Sequence, residues 1–198
     1  MTDRDSDDAR WSQLAQEAAA GQAASIRQLA RDLLPRVRNL VRYLVRGERD
    51  VDDLSQDALL LILEGIHTYR GDGPFRSWAD RVVARSVFAA RRSSARRAEQ
   101  AIDEAALADE PALLPDRYYL RRQVAERLDA LPLAQRDALV LHCVIGLRVA
   151  EVATELGVPE ETVRSRIRLG KDRLRQQLSD PSPAPGELGS DDDAIGRR

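Results

Sequence analysis

The sequence predicts an all-α protein: two small helical domains joined by an acidic flexible linker, the second containing a helix-turn-helix. Three observations carry that expectation. Aromatic residues make up only 4% of the 198 residues, whereas Ala, Leu, Val and Arg abound, a balance that favours helices over sheets. Apolar residues recur at three- and four-residue spacing, and no segment sustains the period-two alternation of a strand. Acidic and basic blocks alternate along the chain, so a net charge of only −2 conceals surfaces suited to different partners.

The N-terminal extension, residues 1–21, opens with MTDRDSDDAR, which lacks the apolar core of a signal peptide. Residues 1–8 are expected to be disordered, and a short helix over Ala9–Ala20 to end at Gly21. The first domain spans 22–97. Ile26, Leu29, Ala30 and Leu33 mark an amphipathic helix, which Pro35 is expected to interrupt. Pro35 would then open another helix carrying Val37, Leu40, Val41, Leu44 and Val45, closed by Gly47.

The next segment, Asp50 to Ala58, enters a helix running to about Gly65, with Leu54, Ala58, Leu61 and Ile62 facing inward. Asp50, Asp52, Asp53 and Asp57 crowd its first turns, where the helix dipole favours negative charge. A calcium loop would need a Gly turn and a distal Glu, and both are missing. An exposed, capped acidic helix start is therefore expected, with no metal and no cofactor.

Residues 65–74, GIHTYRGDGP, form a loop with three glycines, followed by a helix from Phe75 to about Arg97. Between 76 and 97 stand Arg76, Arg81, Arg85, Arg91, Arg92, Arg96 and Arg97 against Asp80 alone, a surface suited to phosphates. Phe75, Trp78 and Phe88 interleave with them, as rings do where unstacked bases are bound; the same spacing also suits core packing. Residues 98–117 read as the linker: 98–116 hold six carboxylates and no cation, with Pro111 and Pro115.

The second domain spans 118–178. Its first helix carries Val124, Leu128 and Leu131, and Pro132 restarts the chain into Leu133–Val144. Cys143, the single cysteine, cannot form an intrachain disulfide and is expected to be a small buried hydrophobe. A helix over Val149–Leu156 presents Ala150, Ala153 and Leu156 on one face. Gly157-Val158-Pro159 then breaks it, with Gly suited to a left-handed C-terminal residue and Pro to the start of a new helix. In that new helix Val163, Ile167, Leu174 and Leu178 are expected to face inward, leaving Arg164, Arg168, Lys171 and Arg175 on other faces. This is the pattern of a helix-turn-helix whose second helix enters a major groove. The tail, 179–198, has the Pro, Ser, Gly and Asp content of a disordered segment.

Catalysis is not expected. His67 and His142 lie in unrelated segments, and no nucleophile–base pair or metal spacing appears. No apolar stretch approaches membrane-spanning length, so a cytoplasmic protein is expected. A free-standing helix-turn-helix regulator would need only residues 118–178 and would leave the acidic helix and the arginine-rich helix unused.

Both halves resemble one family, the small two-domain extracytoplasmic-function (ECF) sigma factors of bacterial RNA polymerase. The first half does so through DVDDLSQDALLLILEGIHTYRGDGPFRSWADRVVARSVFAARR and the second through LPLAQRDALVLHCVIGLRVAEVATELGVPEETVRSRIRLGKDRL. The resemblance covers about residues 22–178 and implies a transcription initiation factor that binds core polymerase, directs it to promoters and assists melting. It implies a core-polymerase contact at Asp53, Leu54, Gln56 and Asp57. It places Tyr69, Arg70, Phe75, Trp78, Arg81 and Arg85 at the downstream "minus ten" element, where an unstacked base is captured. Thr162, Arg164, Ser165, Arg168 and Lys171 are implied as contacts to the upstream "minus thirty-five" element, and an anti-sigma protein as a further partner. The sequence departs from the family pattern at Ser86, Ala90, Glu161 and Leu169, which leaves the fold expectation intact but unsettles the promoter sequence.

Overall fold

The computed structural model describes residues 3–98 and 116–179, and these contain helices and turns but no strand. Eight α-helices follow in order: α1 (Asp3–Ala19), α2 (Ala23–Leu44), α3 (Val51–Gly65), α4 (Phe75–Ala98), α5 (Asp116–Asp129), α6 (Leu133–Leu139), α7 (Val149–Leu156) and α8 (Glu160–Ser179). Helices α1–α4 pack around one another, with α2 central to the group. Helices α5–α8 form a second group, in which α8 crosses α6 and α7. The linker and the tail lie outside the described residues.

Helix α1 starts at Asp3, earlier than its sequence suggests. Its acidic start is anchored, since Arg76 on α4 holds Asp7 at 2.8 Å and Asp8 at 3.0 Å. Pro35 does not divide α2, which runs unbroken past it. A proline inside a helix costs about 3 kcal/mol. The uninterrupted stripe Leu29, Leu33, Val37, Leu40, Val41 and Leu44 is buried, and each such side chain contributes roughly 1.5–3 kcal/mol. Burial wins over the missing N–H.

In α3 the buried face is Val51, Ser55, Ala58 and Ile62. Leu61 points outward instead of into the core, 46% exposed, beside Leu60 at 56%. Asp50 precedes the helix with φ −99° and ψ 4°, and its side chain makes no cap. The favourable charge in the first turn comes from Asp52 and Asp53.

The second group also differs from its sequence pattern in detail. Val152 is the buried residue of α7, while Ala150 is exposed; Val124 and Leu178 are exposed as well. Helix α6 continues as a π-helical turn over Val140–Val144, closed by Ile145 N–H donating to the Val140 carbonyl at 3.0 Å. The wider turn rotates Cys143 and Val144 to the surface, so the thiol is exposed rather than packed. Gly157 takes the left-handed conformation, φ 64°, that ends α7. Gly170, in the middle of α8, is needed for a different reason: a Cβ there would lie 2.6 Å from Leu139 Cδ1. Its absence lets α8 press directly on α6.

The two groups meet at the C-terminal end of α2. A helix end leaves its last carbonyls without intrahelical donors, and here the donor comes from α6. Arg136, 0% exposed, donates from Nε to the Tyr43 carbonyl at 2.7 Å and from Nη2 to the carbonyls of Arg42 (2.8 Å) and Val45. Its Nη1 bonds Asp129 at 2.7 Å. Arg42 forks onto the same Asp129 at 3.2 and 2.7 Å, and Arg46 donates to the Leu131 carbonyl at 2.9 Å. Arg91 on α4 grips Asp137 with two bonds of 2.7 and 3.0 Å.

Candidate nucleic-acid and partner interfaces

The acidic helix α3 turns one stripe to solvent. Asp53, Gln56 and Asp57 are exposed, and Leu60 continues the stripe one turn on. Leu54 is half-buried and packs on the core, so only its edge is available. The family-implied contacts Asp53, Gln56 and Asp57 therefore share one accessible face. Leu60 and Leu61 were missed as surface residues, although Leu59-Leu60-Leu61-Ile62-Leu63 carries a signal. Five consecutive apolar residues span more arc than a helix can bury on one side, so some must be exposed. Carboxylates flanking exposed leucines suit a protein partner better than a nucleic acid.

The loop before α4 is held by an aromatic cluster. Tyr69 meets Phe75 edge-on, with ring centroids 5.2 Å apart at 77°, and Trp78 lies 5.8 Å from Tyr69 and 5.5 Å from Phe75. Phe75 is 0% exposed. It is a core residue that supports the other two rings, which corrects its placement among base contacts. Tyr69 Oη donates to the Gly73 carbonyl at 2.7 Å, closing the loop on itself. Tyr69 and Trp78 keep part of their surface accessible, and Arg70 is exposed beside them. Trp78 also lies along Gly65, where a Cβ would meet the indole at 3.9 Å, an ordinary contact.

Not every arginine of α4 faces solvent. Arg76 is held by Asp7 and Asp8, and Asp80, buried, takes a two-bond grip from Arg36 at 2.7 and 2.5 Å. Those bonds to Asp80 raise the Arg36 guanidinium above the ordinary arginine range, although burial opposes them. At Arg136 the balance reverses, and burial pushes the guanidinium down while Asp129 opposes it. Arg81 and Arg85 stand on the outer face of α4, but both are engaged by α7. Arg81 Nη2 lies 3.2 Å from Glu151 Oε1, and Arg85 Nε lies 3.4 Å from Glu155 Oε2. A cleft of about 170 Å³ between the two helices is lined by Ala84, Leu141, Leu147 and Thr154 with these four charges.

The helix-turn-helix presents a third surface. Its first helix, α7, starts with Glu151 accepting from the Arg148 N–H at 2.8 Å, a bond that holds the Glu151 carboxyl below the usual carboxylate range. On α8, Arg164, Arg168 and Lys171 are exposed, and Thr162 and Ser165 are half-buried. Arg164 is drawn back to Glu160 at 2.7 Å, whereas Arg168 and Lys171 have no ion-pair partner among the described residues. They line a groove of about 290 Å³ with His142, Val149, Arg164, Ile167, Asp172 and Arg175. His142 was not foreseen there. Its Nδ1–H donates to the Leu147 carbonyl at 2.8 Å.

Comparison with known proteins decides the family. Residues 29–97 match Sigma-70 region 2, and residues 121–174 match Sigma-70 region 4. The chain is 31% identical over 160 residues to the ECF RNA polymerase sigma factor SigM of Mycobacterium tuberculosis, covering 80% of each protein. The chain belongs to the ECF sigma factors. It is also 31% identical over 172 residues to SigE of Mycolicibacterium smegmatis, covering 82% of this chain and 66% of that one. Among solved structures, the fold is similar to the sigma factor RpoE of Bartonella quintana in complex with the anti-sigma factor NepR. That match has a TM-score of 0.58 and 21% identity, covering 79% of this chain and 98% of the other. CnrH in complex with the cytosolic domain of CnrY gives a TM-score of 0.54 and 24% identity, covering 85% and 97%. The acidic stripe and the aromatic loop thus fall in sigma region 2, and the basic groove in region 4.

Proposed function

We propose that this chain is a promoter-specificity subunit which joins core RNA polymerase, selects promoters and assists strand separation without covalent chemistry of its own. The observation that carries the reading is the joint presence, in order, of regions 2 and 4, each with an accessible surface of the expected chemistry. The stripe Asp53, Gln56 and Asp57 with the edge of Leu54 docks on core polymerase, and Leu60 and Leu61 extend it. No helix among the described residues is long and apolar enough to cross a membrane, which accords with work in the cytoplasm on chromosomal DNA. An anti-sigma protein is the natural regulator, and the region-2 stripe is a surface it would compete for.

At the downstream element, Tyr69 and Trp78 offer ring faces to an unstacked base, while Arg70, Arg81 and Arg85 hold the phosphates around it. Extruding a base costs a few kcal/mol, and stacking on a ring returns about 1–3. The free protein therefore gains too little to open duplex DNA, and melting requires the rest of the polymerase. At the upstream element, Arg168 and Lys171 enter the major groove from α8, with Arg164, Thr162 and Ser165 at its N-terminal end. Run-off transcription with purified core polymerase tests the reading. Discrete starts that depend on the protein and vanish in the D53A/Q56A variant are expected. Specific duplex binding by the free protein without any transcription would instead indicate a free-standing regulator.

A further inference from the structure

We propose that helix α1 sets the geometry of the promoter-melting site, with Ser12 positioning the Tyr69 ring and Asp7 and Asp8 positioning the start of α4. The proposal rests on the reading of Tyr69 and Trp78 as ring faces for an unstacked base, and it adds an element to that site. Helix α1 (Asp3–Ala19) precedes the stretch that matches region 2, which begins at residue 29. It is nevertheless firmly docked. Ala15 and Ala18 are buried, and Ser25 on α2 donates to Glu17 at 2.8 Å. Asp8, Ser12 and Ala15 recur at four- and three-residue spacing and share one face of α1. That face meets Arg76 on α4 and Tyr69 in the loop.

The loop needs such support. Residues 70–74 are all exposed, so no buried side chain of their own fixes them, and Gly71 lies in the left-handed region at φ 82°. Their course is set by the residues at either end, Tyr69 and Phe75. The Tyr69 hydroxyl has a single proton, which it donates to the Gly73 carbonyl at 2.7 Å. In its 3.3 Å contact with Ser12 the serine hydroxyl is therefore the donor. The phenolic oxygen is engaged twice, once by the loop and once by α1, and Tyr69 has only its ring to offer DNA.

At the other end, Arg76 stands between the buried Phe75 and Trp78. Its guanidinium reaches Asp7 at 2.8 Å and Asp8 at 3.0 Å, so the first turn of α4, which carries Trp78, is tied to the same helix. Both base-facing rings thus take their position from α1, Tyr69 through its hydroxyl and Trp78 through the backbone of α4. A base that leaves the stack is captured only where a ring already stands, and a site loose by about 1 Å fails to hold its ligand. The α1 contacts are partly exposed and add little to the stability of the whole chain. Their effect falls on the capture step.

Polymerase holoenzyme assembled with the full-length protein tests this, through the rate of strand separation at a promoter mapped by run-off transcription. S12A should slow that step about threefold to fivefold, the loss of one neutral hydrogen bond. Y69F, which keeps the ring, should slow it at least as much. D7N/D8N should slow it about threefold, as the loss of exposed ion pairs does. S12T keeps the hydroxyl and should run as the wild type. Affinity for core polymerase and initial binding to the promoter duplex should be unchanged in all four. On a template whose downstream element is already mismatched, every variant should match the wild type, because no pairing has to be broken. Three results would each overturn the proposal: wild-type strand separation in both S12A and D7N/D8N, S12T as slow as S12A, or equal slowing on the mismatched template. W78L separates this proposal from the reading it rests on. If W78L slows strand separation and the α1 variants do not, the brace fails and the ring reading stands. W78L without effect would remove the ring reading and the proposal with it.

Discussion

Two arginine-bearing helices, α4 in region 2 and α8 in region 4, carry their cations in different circumstances. On α8, Arg168 and Lys171 face solvent over an open groove. On α4, Arg81 and Arg85 are already matched to Glu151 and Glu155. The difference lies in what each helix packs against. Helix α8 buries Val163, Ile167 and Gly170 within its own domain, so its outer face is left free. Helix α4 lies at the junction of both domains, and its outer face meets α7. The basic face of α8 is therefore open in the structure, whereas that of α4 is partly covered by α7.

The largest effect should come from Arg136, which belongs to the junction and not to either DNA surface. R136A would leave the buried Tyr43, Arg42 and Val45 carbonyls without their donor and Asp129 with Arg42 alone, and each buried acceptor left unpaired costs about 1–3 kcal/mol. Urea unfolding of the full chain should show the loss. R136K should recover little of it, because an ammonium cannot fork to a carboxylate and three carbonyls at once. A loss below about 1 kcal/mol would mean that the two domains fold and part without this cap, and the contrast between α4 and α8 would weaken.

Next in size is the α3 stripe. L60A removes an exposed side chain, so stability should change by less than about 0.5 kcal/mol. Association with core polymerase should weaken roughly tenfold, as at a partly buried hot spot. Measured affinity for core enzyme, alongside the melting temperature, separates the two effects. An unchanged affinity would confine the partner contact to Asp53, Gln56 and Asp57.

The comparison itself is sharpened by R168A and R85A. In the free protein R168A should weaken duplex binding several-fold and reduce the salt slope of log K by about one unit for the lost phosphate contact. R85A should change both less in the free protein, because its Nε already lies against Glu155. Within the polymerase holoenzyme R85A should slow open-complex formation. Equal effects of the two variants in the free protein would show that α4 is as accessible as α8.

What the sequence made legible follows from range. Helical periodicity, the Gly-Val-Pro turn and the acidic start of α3 are local signals, and the helices and the helix-turn-helix followed from them. Local signals failed where a neighbour decides. Pro35 stays inside α2 because an uninterrupted apolar stripe outweighs it, and Phe75 is core because Tyr69 and Trp78 close over it. Cys143 is exposed because a π turn shifts the register of α6. Leu61, Val124 and Leu178 have apolar side chains on faces that nothing among the described residues covers. Arg136 was unreadable for a plainer reason: its carbonyl partners lie more than 90 positions away, and no periodicity links them. The equal spacing of Arg81/Arg85 and Glu151/Glu155 was visible, but only contact gives it meaning.

The smallest effect concerns Glu151, which serves both sides of the comparison: it closes the first turn of α7 and faces Arg81. Its carboxyl is held below the usual carboxylate range, chiefly by the Arg148 N–H; burial opposes this, and the Arg148 side-chain bond and the Arg81 and Arg148 charges then add to the lowering. A depressed folded value means stability that is present above the ordinary value of 4.5 and lost as pH falls through the folded one. E151Q keeps an oxygen acceptor for the Arg148 N–H but has no charge to titrate. Between pH 6 and pH 3 the melting temperature of the wild type should therefore fall further than that of E151Q, with the two curves converging at the acid end. If the two acid limbs coincided, Glu151 would close the first turn of α7 without a titrating contribution, and the charged contact with α4 would rest on Glu155.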